Sequence, residues 1–264
     1  MLTVVKNQFK ILLLSVKYAL MREMLNKVTF ITNIIFMILN NASFIIQWIV
    51  LYSLKENIGG YTFKQVLLLW GIAASTYGIS HFFFKNAFTL SDTINNGKLD
   101  AYLVQPKNVL LSAITMDVEA SAIGDLIYAY IMLGIYGMTI NNFLLFTILS
   151  ICGGLIMVSI TVILGSLSFW FNKADAIADV GGMLMLNFST YPEGIFKGIT
   201  KILLFTIIPV GIVNFLPVRI LTEFNIYYFL IIMIVTIIII TLAFIIFYKG
   251  LKRYSSSNLM IARV

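Results

Sequence analysis

Cysteine, histidine, proline and charged side chains are all scarce in this chain of 264 residues. The lone cysteine, Cys152, excludes an intrachain disulfide and any metal site built on thiolates. The lone histidine, His81, excludes an imidazole zinc cluster and leaves a Ser-His-Asp triad with one candidate base. With four prolines and no low-complexity linker, nothing separates a soluble domain from an anchor, and a single domain is expected. Gly97-Lys98 lacks the leading glycine of a Walker A loop and its following Ser or Thr, so the chain is not expected to hydrolyse ATP itself. Charged residues are only 11% of the total, which argues against a soluble enzyme.

Apolar residues take the place of the missing charge. They make up 60% of the chain, and the mean hydropathy is +0.98. A membrane-crossing helix uses roughly 20 mainly apolar residues, which leaves room for six with short connections. Lys and Arg number 18 against 11 Asp and Glu, and the net charge of +7 suits cytoplasmic edges facing anionic lipid better than it suits nucleic acid.

The hydrophobic runs predict an all-α, polytopic membrane protein with six transmembrane helices and an amino-terminal interfacial helix. In residues 4–24, Lys6, Lys10 and Lys17 fall within about 40° of one another on a helix, apart from Val5, Phe9, Leu12, Val16 and Leu20. Such a helix lies flat on the membrane. The first long apolar run starts only near Val28, so no cleavable leader is expected. Spans are expected at about 29–52, 63–84, 120–140, 143–171, 199–218 and 226–248. Residues 85–108 are the longest polar insert, broken at Asn95-Asn96-Gly97, and Asn141-Asn142 reads as a tight turn. The run 181–196, cut by Pro192, is too short for a full crossing and reads as partly inserted or interfacial.

Six spans and a cytoplasmic amino terminus place both termini inside. The inner segments then collect Lys6, Lys10, Lys17, Arg22, Lys27, Lys85, Lys98, Lys107, Lys173, Lys197, Lys201, Lys249, Lys252, Arg253 and Arg263, against Lys55, Lys64 and Arg219 outside. Fifteen against three is a strong positive-inside bias.

Polar residues within the apolar runs are the candidate sites. Asn26, Asn33, Asn40 and Gln47 recur every seven residues on one face of the first span, a face that either holds helices together or lines a path or subunit seam. Ser75, Thr76 and Tyr77 on the second span are further candidates for that path or seam, and His81 is either structural or proton-sensitive. Asp117 and Glu119 are expected in headgroup water or bridged to Lys85 or Lys107, whereas Asp125 lies deeper and is a candidate interhelical contact. Pro192 is expected to start a helix on which Glu193 pairs with Lys197, with Lys201 one step further. Pro209 and Pro217 mark helix prone to bend, and Gly71, Gly78, Gly153, Gly154 and Gly165 are expected at close-packed positions.

Three segments together resemble the six-helix permease subunits of ABC-2 type ATP-binding-cassette exporters. They are Ser91-Asp92-Thr93-Ile94-Asn95-Asn96-Gly97-Lys98-Leu99-Asp100 through Leu103, Pro106 and Asn108; Tyr191-Pro192 through Pro209 and Asn214-Phe215-Leu216-Pro217; and Lys249-Gly250-Leu251-Lys252-Arg253-Tyr254 with Ser255 and Ser256. The resemblance implies a transport subunit without its own ATPase motif, a separate ABC ATPase subunit that binds ATP and Mg, and a second permease chain, identical or related. It implies a bacterial cell membrane, and alternating access as the mechanism. It also makes residues 85–108 the coupling loop, with Asp92, Thr93, Ile94, Asn95, Gly97, Lys98, Leu99, Asp100, Tyr102 and Leu103 against the ATPase. That insert mixes both charge signs with apolar Ile94, Leu99, Tyr102 and Leu103, as a docking surface does. The other readings open to such a chain are an ion-coupled secondary transporter, which needs a paired intramembrane acid and base, and a membrane-embedded enzyme, which needs clustered ionisable groups.

Overall fold

The computed structural model describes residues 2–171 and 174–255; the expectations placed on Lys173, Ser256 and Arg263, and on the side chains of Val5, Lys6 and Phe9, lie outside the described residues. Helix α1 (Leu2–Glu23) leads to Asn26, whose side chain accepts from Thr29 N at 3.1 Å and so caps α2 (Lys27–Leu54). A turn over Gly59 and Gly60 reverses the chain into α3 (Phe63–Phe84), where Thr62 N donates to Gln65 Oε1 at 2.9 Å across the first turn. The polar insert then folds as a 3-10 turn (Lys85–Thr89), α4 (Leu90–Asn95), α5 (Asp100–Leu103) and α6 (Val109–Ile114). Helices α7 (Ala122–Gly137) and α8 (Ile140–Ser166) form a hairpin. Its tight turn is not at Asn141-Asn142: these amides lie inside the first turn of α8, where Thr139 accepts from Asn142 N at 3.2 Å, and the reversal falls on Gly137–Thr139. Next come α9 (Ala174–Ser189), α10 (Gly198–Thr206), a π turn (Gly211–Phe215) running into α11 (Leu216–Thr222), and α12 (Ile226–Leu251), capped by Asn225.

Among the described residues there is no strand, only one isolated bridge between Ile58 and Tyr61. Four helices among the described residues are long and apolar enough to cross a membrane: α2, α3 continued to Asn95, α8 continued to Phe169, and α12. A fifth is reached if the bent pair α10 and α11 is one span. Helices α7 and α9, of 16 residues each, reach about 24 Å at 1.5 Å per residue. The stretch 199–218, expected as one span, is thus two helices inclined at 78° to each other. Pro209 supplies no N–H and its ring crowds the preceding turn, so the α10 ladder stops at Thr206. A side chain at Gly211 would run into the Phe205 ring, which is what lets the two arms fold so closely.

Helix α3 is apolar on every side and occupies the centre, with Val66, Leu68, Leu69 and Ile72 wholly shielded. It packs against α7 and α8, and both approaches depend on glycine. A Cβ at Gly153 of α8 would lie 2.5 Å from Thr76 Oγ1 of α3, and one at Gly78 of α3 would lie 3.0 Å from the Leu126 side chain of α7; one at Gly124 would lie 2.5 Å from Ile34 O where α7 crosses α2. Along α12, Ile232, Thr236, Ala243, Phe247 and Gly250 make one buried stripe while the remaining faces are open. The lower end of this core is closed by the insert, whose Leu90, Ile94, Leu99 and Leu110 join Val158 and Val162 of α8 and Phe247 of α12 in one cluster. Helix α1 lies against α3 and the approach to α7 through Val16 and Ala19, which meet Val118 with Leu12, Leu20, Phe82 and Phe83 around them. Lys10 and Lys17 are exposed.

Candidate functional site

A cavity of about 310 Å³ opens between α2, α3, α7 and α9. Its polar wall comes from Asn40, Asn41 and Gln47 of α2, Asp125 of α7, and Asn187 and Thr190 at the end of α9. Its aromatic wall comes from Phe44, Trp48, Trp70, Tyr77 and Tyr191, with Phe44 stacked on Trp70 at 5.3 Å and Trp48 edge-on to Tyr191 at 6.0 Å. Asp125 is buried in the first turn of α7 and accepts from Asn41 Nδ2 at 2.6 Å through Oδ1, while Oδ2 has no partner. An uncompensated buried oxygen of this kind costs about 1–3 kcal/mol. Asn41 was not legible as part of the site. The heptad of amides drew attention to Asn40, and Asn41 sits 100° around the helix from it, facing α7 instead.

Three of the amides in the heptad, Asn33, Asn40 and Gln47, are exposed on α2, where only Ile45 and Trp48 are buried. Among the described residues no helix covers that face. Ser75 is not in the cavity: it is buried between α3 and α8, its Oγ 2.7 Å from Ser150 Oγ and donating to Ile72 O at 3.0 Å, an interhelical tie. Thr76 is also directed at α8 and has an unpaired buried hydroxyl beside Gly153. Only Tyr77 of the three reaches the cavity. His81 is stacked between Tyr77 at 3.7 Å and Phe88 at 3.9 Å, with Nδ1 3.2 Å from both Tyr77 O and Ser80 Oγ, the surroundings of a structural histidine. Asp117 pairs with Arg22 of α1 rather than with Lys85 or Lys107, and Glu119 accepts from Ser121 Oγ at 3.1 Å.

The insert divides its residues between core and surface in a way that the sequence did not separate. Ile94 and Leu99 are wholly buried against α8 and α12, and Gly97, at φ 68°, makes the reversal that sends both inward. Neither is a surface residue, so the docking role expected of their side chains does not stand. Thr93 and Asn95 are half-buried, and Thr93 Oγ1 donates back to Thr89 O at 3.1 Å. The open face consists of Asp92, Lys98, Asp100 and Leu103, together with Val104, which is 84% exposed. Tyr102 is half-buried, and burial pushes its phenol up. The segment after α12 is tied to this insert by Tyr254, whose hydroxyl donates to Asp100 Oδ1 at 2.9 Å. Burial and the neighbouring Asp100 carboxylate push the Tyr254 phenol up to about 12.

At the opposite end, Glu193 is buried beneath two cations. Arg219 Nη2 of α11 donates to its Oε2 at 2.6 Å, and Lys201 Nζ of α10 lies 2.8 Å from Oε1 at ion-pair distance without hydrogen-bond alignment. Gly194 N donates to Gly59 O at 3.2 Å, fixing this corner to the α2–α3 turn. The phenol of Tyr61 there is pushed up by burial and by Glu193. The Glu193–Lys197 helix pair expected from sequence is absent because Glu193–Ile195 is a single 3-10 turn and α10 begins only after Lys197. Lys201 and Arg219, expected on opposite sides of the membrane, share one carboxylate and so lie together at one end of the bundle.

A helical bundle with several membrane-length apolar helices, a polar cavity beside an exposed helix face and a packed polar insert at one end is that of a multi-pass membrane protein. The chain belongs to the family described as ABC-2 family transporter protein, whose model matches residues 37–258. The expected membership in the ABC-2 type permeases therefore holds, and with it a transport membrane component rather than a catalyst. Comparison with curated proteins and with solved structures returns no match.

Proposed function

We propose that this chain is the permease subunit of an ATP-driven exporter, paired with a second permease chain and moved by a separate ABC ATPase that holds ATP and Mg. The observation that carries this reading, beside the family membership, is the way the polar insert is built. Residues 85–114 pack as one body onto α8 and α12 through Ile94, Leu99 and Leu110. A push on their open face is therefore delivered to two long helices. Residues Asp92, Lys98, Asp100, Leu103 and Val104 take the ATPase contact, while Ile94 and Leu99 hold the lever stiff. ATP binding by the partner favours one arrangement of the helices, and alternating access follows because a ligand shifts such an equilibrium only by binding one state better. The exposed face of α2 bearing Asn33, Asn40 and Gln47 lies toward the second permease chain, with the cavity beside it as part of the path.

The six-span reading persists with a different fifth member. Glu193 and Gly194 bind α11 and the α2–α3 turn, so the chain between α9 and α10 sits at the same end as both. That supports α2, α3, α7, α8, α9 and α12 as the six crossings, with α10 and α11 forming a re-entrant hairpin that enters and leaves by the outer face. Both termini are then cytoplasmic in a cell membrane, most simply a bacterial one. Moving Lys197 and Lys201 outward leaves thirteen basic residues inside against five outside, still a positive-inside bias.

The test is reconstitution of the chain in liposomes with its candidate ATPase. Hydrolysis stimulated by the permease, and lost on replacing Leu103 and Val104 with Asp, is the expected result. Unchanged assembly and turnover after disrupting the whole insert would reject the coupling role, and cargo movement without any ATPase but with a proton gradient would turn the reading to ion coupling.

A further inference from the structure

The cavity between α2, α3, α7 and α9 carries an unsatisfied carboxyl group with aromatic faces around it. Asp125 is only 3% exposed, Asn41 occupies one of its oxygens, and the other has no partner among the described residues. No Lys or Arg lines the cavity, so no internal cation answers it. Trp48, Trp70, Tyr77 and Tyr191 stand on the surrounding walls. A positive charge is attracted by aromatic faces, and a carboxylate oxygen short of a donor is completed by an N–H. A neutral donor fills the hydrogen bond but leaves the charge unmatched, and a quaternary ammonium matches the charge but has no hydrogen to give.

We propose that the cavity binds a protonated amine bearing at least one N–H on an aromatic or aliphatic body, with Asp125 receiving the ammonium and the aromatic walls taking the body. This rests on the exporter reading and names the class of cargo for the same path. Asn41 acts as a positioning residue: by holding Oδ1 it leaves Oδ2 as the oxygen without a donor, on a residue that lines the cavity.

The experiment measures binding of radiolabelled 1-naphthylmethylamine to the full chain in lipid nanodiscs by scintillation proximity, with empty nanodiscs as background. Saturable binding is expected, weakened roughly tenfold or more in Asp125→Asn, the loss appropriate to one charge-assisted hydrogen bond. Tyr191→Leu, at the exposed mouth of the cavity, is expected to weaken binding while leaving Asp125 and its contacts in place, which separates loss of the site from loss of the fold. The N,N,N-trimethyl analogue and 1-naphthylmethanol are expected to compete at least tenfold less well than the amine. Equal binding by Asp125→Asn, or equal competition by either analogue, would overturn the proposal. No ATPase enters this measurement, so its failure is distinct from a failure of ATP-coupled turnover, which would strike the exporter reading instead.

Discussion

Leu99 and Leu103 lie four residues apart in the polar insert and should respond to mutation in opposite ways. Leu99 is 0% exposed and sits in the cluster formed with Ile94, Leu110, Val162 and Phe247; Leu103 is 42% exposed. Truncating a buried leucine to alanine costs about 2–5 kcal/mol, the transfer loss plus the cavity left behind. That is a large part of the roughly 5–15 kcal/mol that holds a domain folded. An exposed substitution such as Leu103→Asp stays within about 0.5 kcal/mol. The chain carries its own reporter, because Cys152 is its only cysteine and is buried, so a thiol-reactive fluorogenic dye responds when the bundle opens. Heated at one fixed rate, Leu99→Ala should react at a clearly lower temperature than the native chain and be cleaved by trypsin at Lys98, whereas Leu103→Asp should match the native chain in both. In the presence of the ATPase the order reverses, with Leu103→Asp failing to copurify although its fold is intact. Native-like melting and proteolysis of Leu99→Ala, with Leu103→Asp the unstable one, would refute the division of the insert into a buried lever and an exposed contact.

Three further outcomes follow from the same geometry. In a Cys152→Ser background, Lys55→Cys and Lys201→Cys should react with an impermeant maleimide from one side of sealed vesicles and Asn96→Cys only from the other; labelling of Lys201→Cys and Asn96→Cys from a common side would remove the re-entrant hairpin. Glu193→Gln leaves Arg219 and Lys201 without their shared carboxylate, and because those side chains are 44% and 47% exposed the loss should be about 1–3 kcal/mol rather than the 3–5 of a fully buried pair. A melting temperature unchanged from the native chain would show that water replaces the ion pair without cost. The Tyr254 phenol, raised from an ordinary value near 10 to about 12, favours folding while it is protonated, so its contribution is complete below pH 10 and disappears as the pH climbs to 12. The stability gap between the native chain and Tyr254→Phe should therefore be constant from pH 7 to pH 10 and close above it; a gap that widens with alkali would contradict the Tyr254–Asp100 bond.

Much of the architecture was legible in the sequence because a membrane imposes a length on each apolar run. Helix α3 coincides with the apolar run 63–84, and α2 and α12 cover the runs 29–52 and 226–248; that Asn26 and Asn225 cap the last two is a finding of the structure. The break at Asn95–Gly97 was equally visible, since Gly97 takes a left-handed conformation that few other residues adopt. What failed were the statements that depend on which side of an element faces inward. The apolar residues of the insert looked like a docking surface, yet Ile94 and Leu99 face α8 and α12; a short irregular segment has no periodicity from which to assign its faces. Glu193 and Lys197 stood at helical spacing, but helix is absent there, and the true partners Lys201 and Arg219 are brought in by the bend at Pro209.

Composition and hydropathy pointed by themselves to a helical membrane protein, because apolar runs of membrane-crossing length with only 11% charge in the chain satisfy their backbone groups in lipid as helices. The order of its polar segments resembles the transporter family, and the family model over residues 37–258 shows the membership. Only the tertiary structure decided that α10 and α11 fold back on each other, that Ser75 ties helices while Tyr77 faces the cavity, and that Asn41 holds one oxygen of Asp125 and leaves the other free. Those outcomes are set by contacts between residues as many as 84 positions apart, as in the Asn41–Asp125 bond, and such distances are fixed by how helices pack rather than by any pattern along the chain.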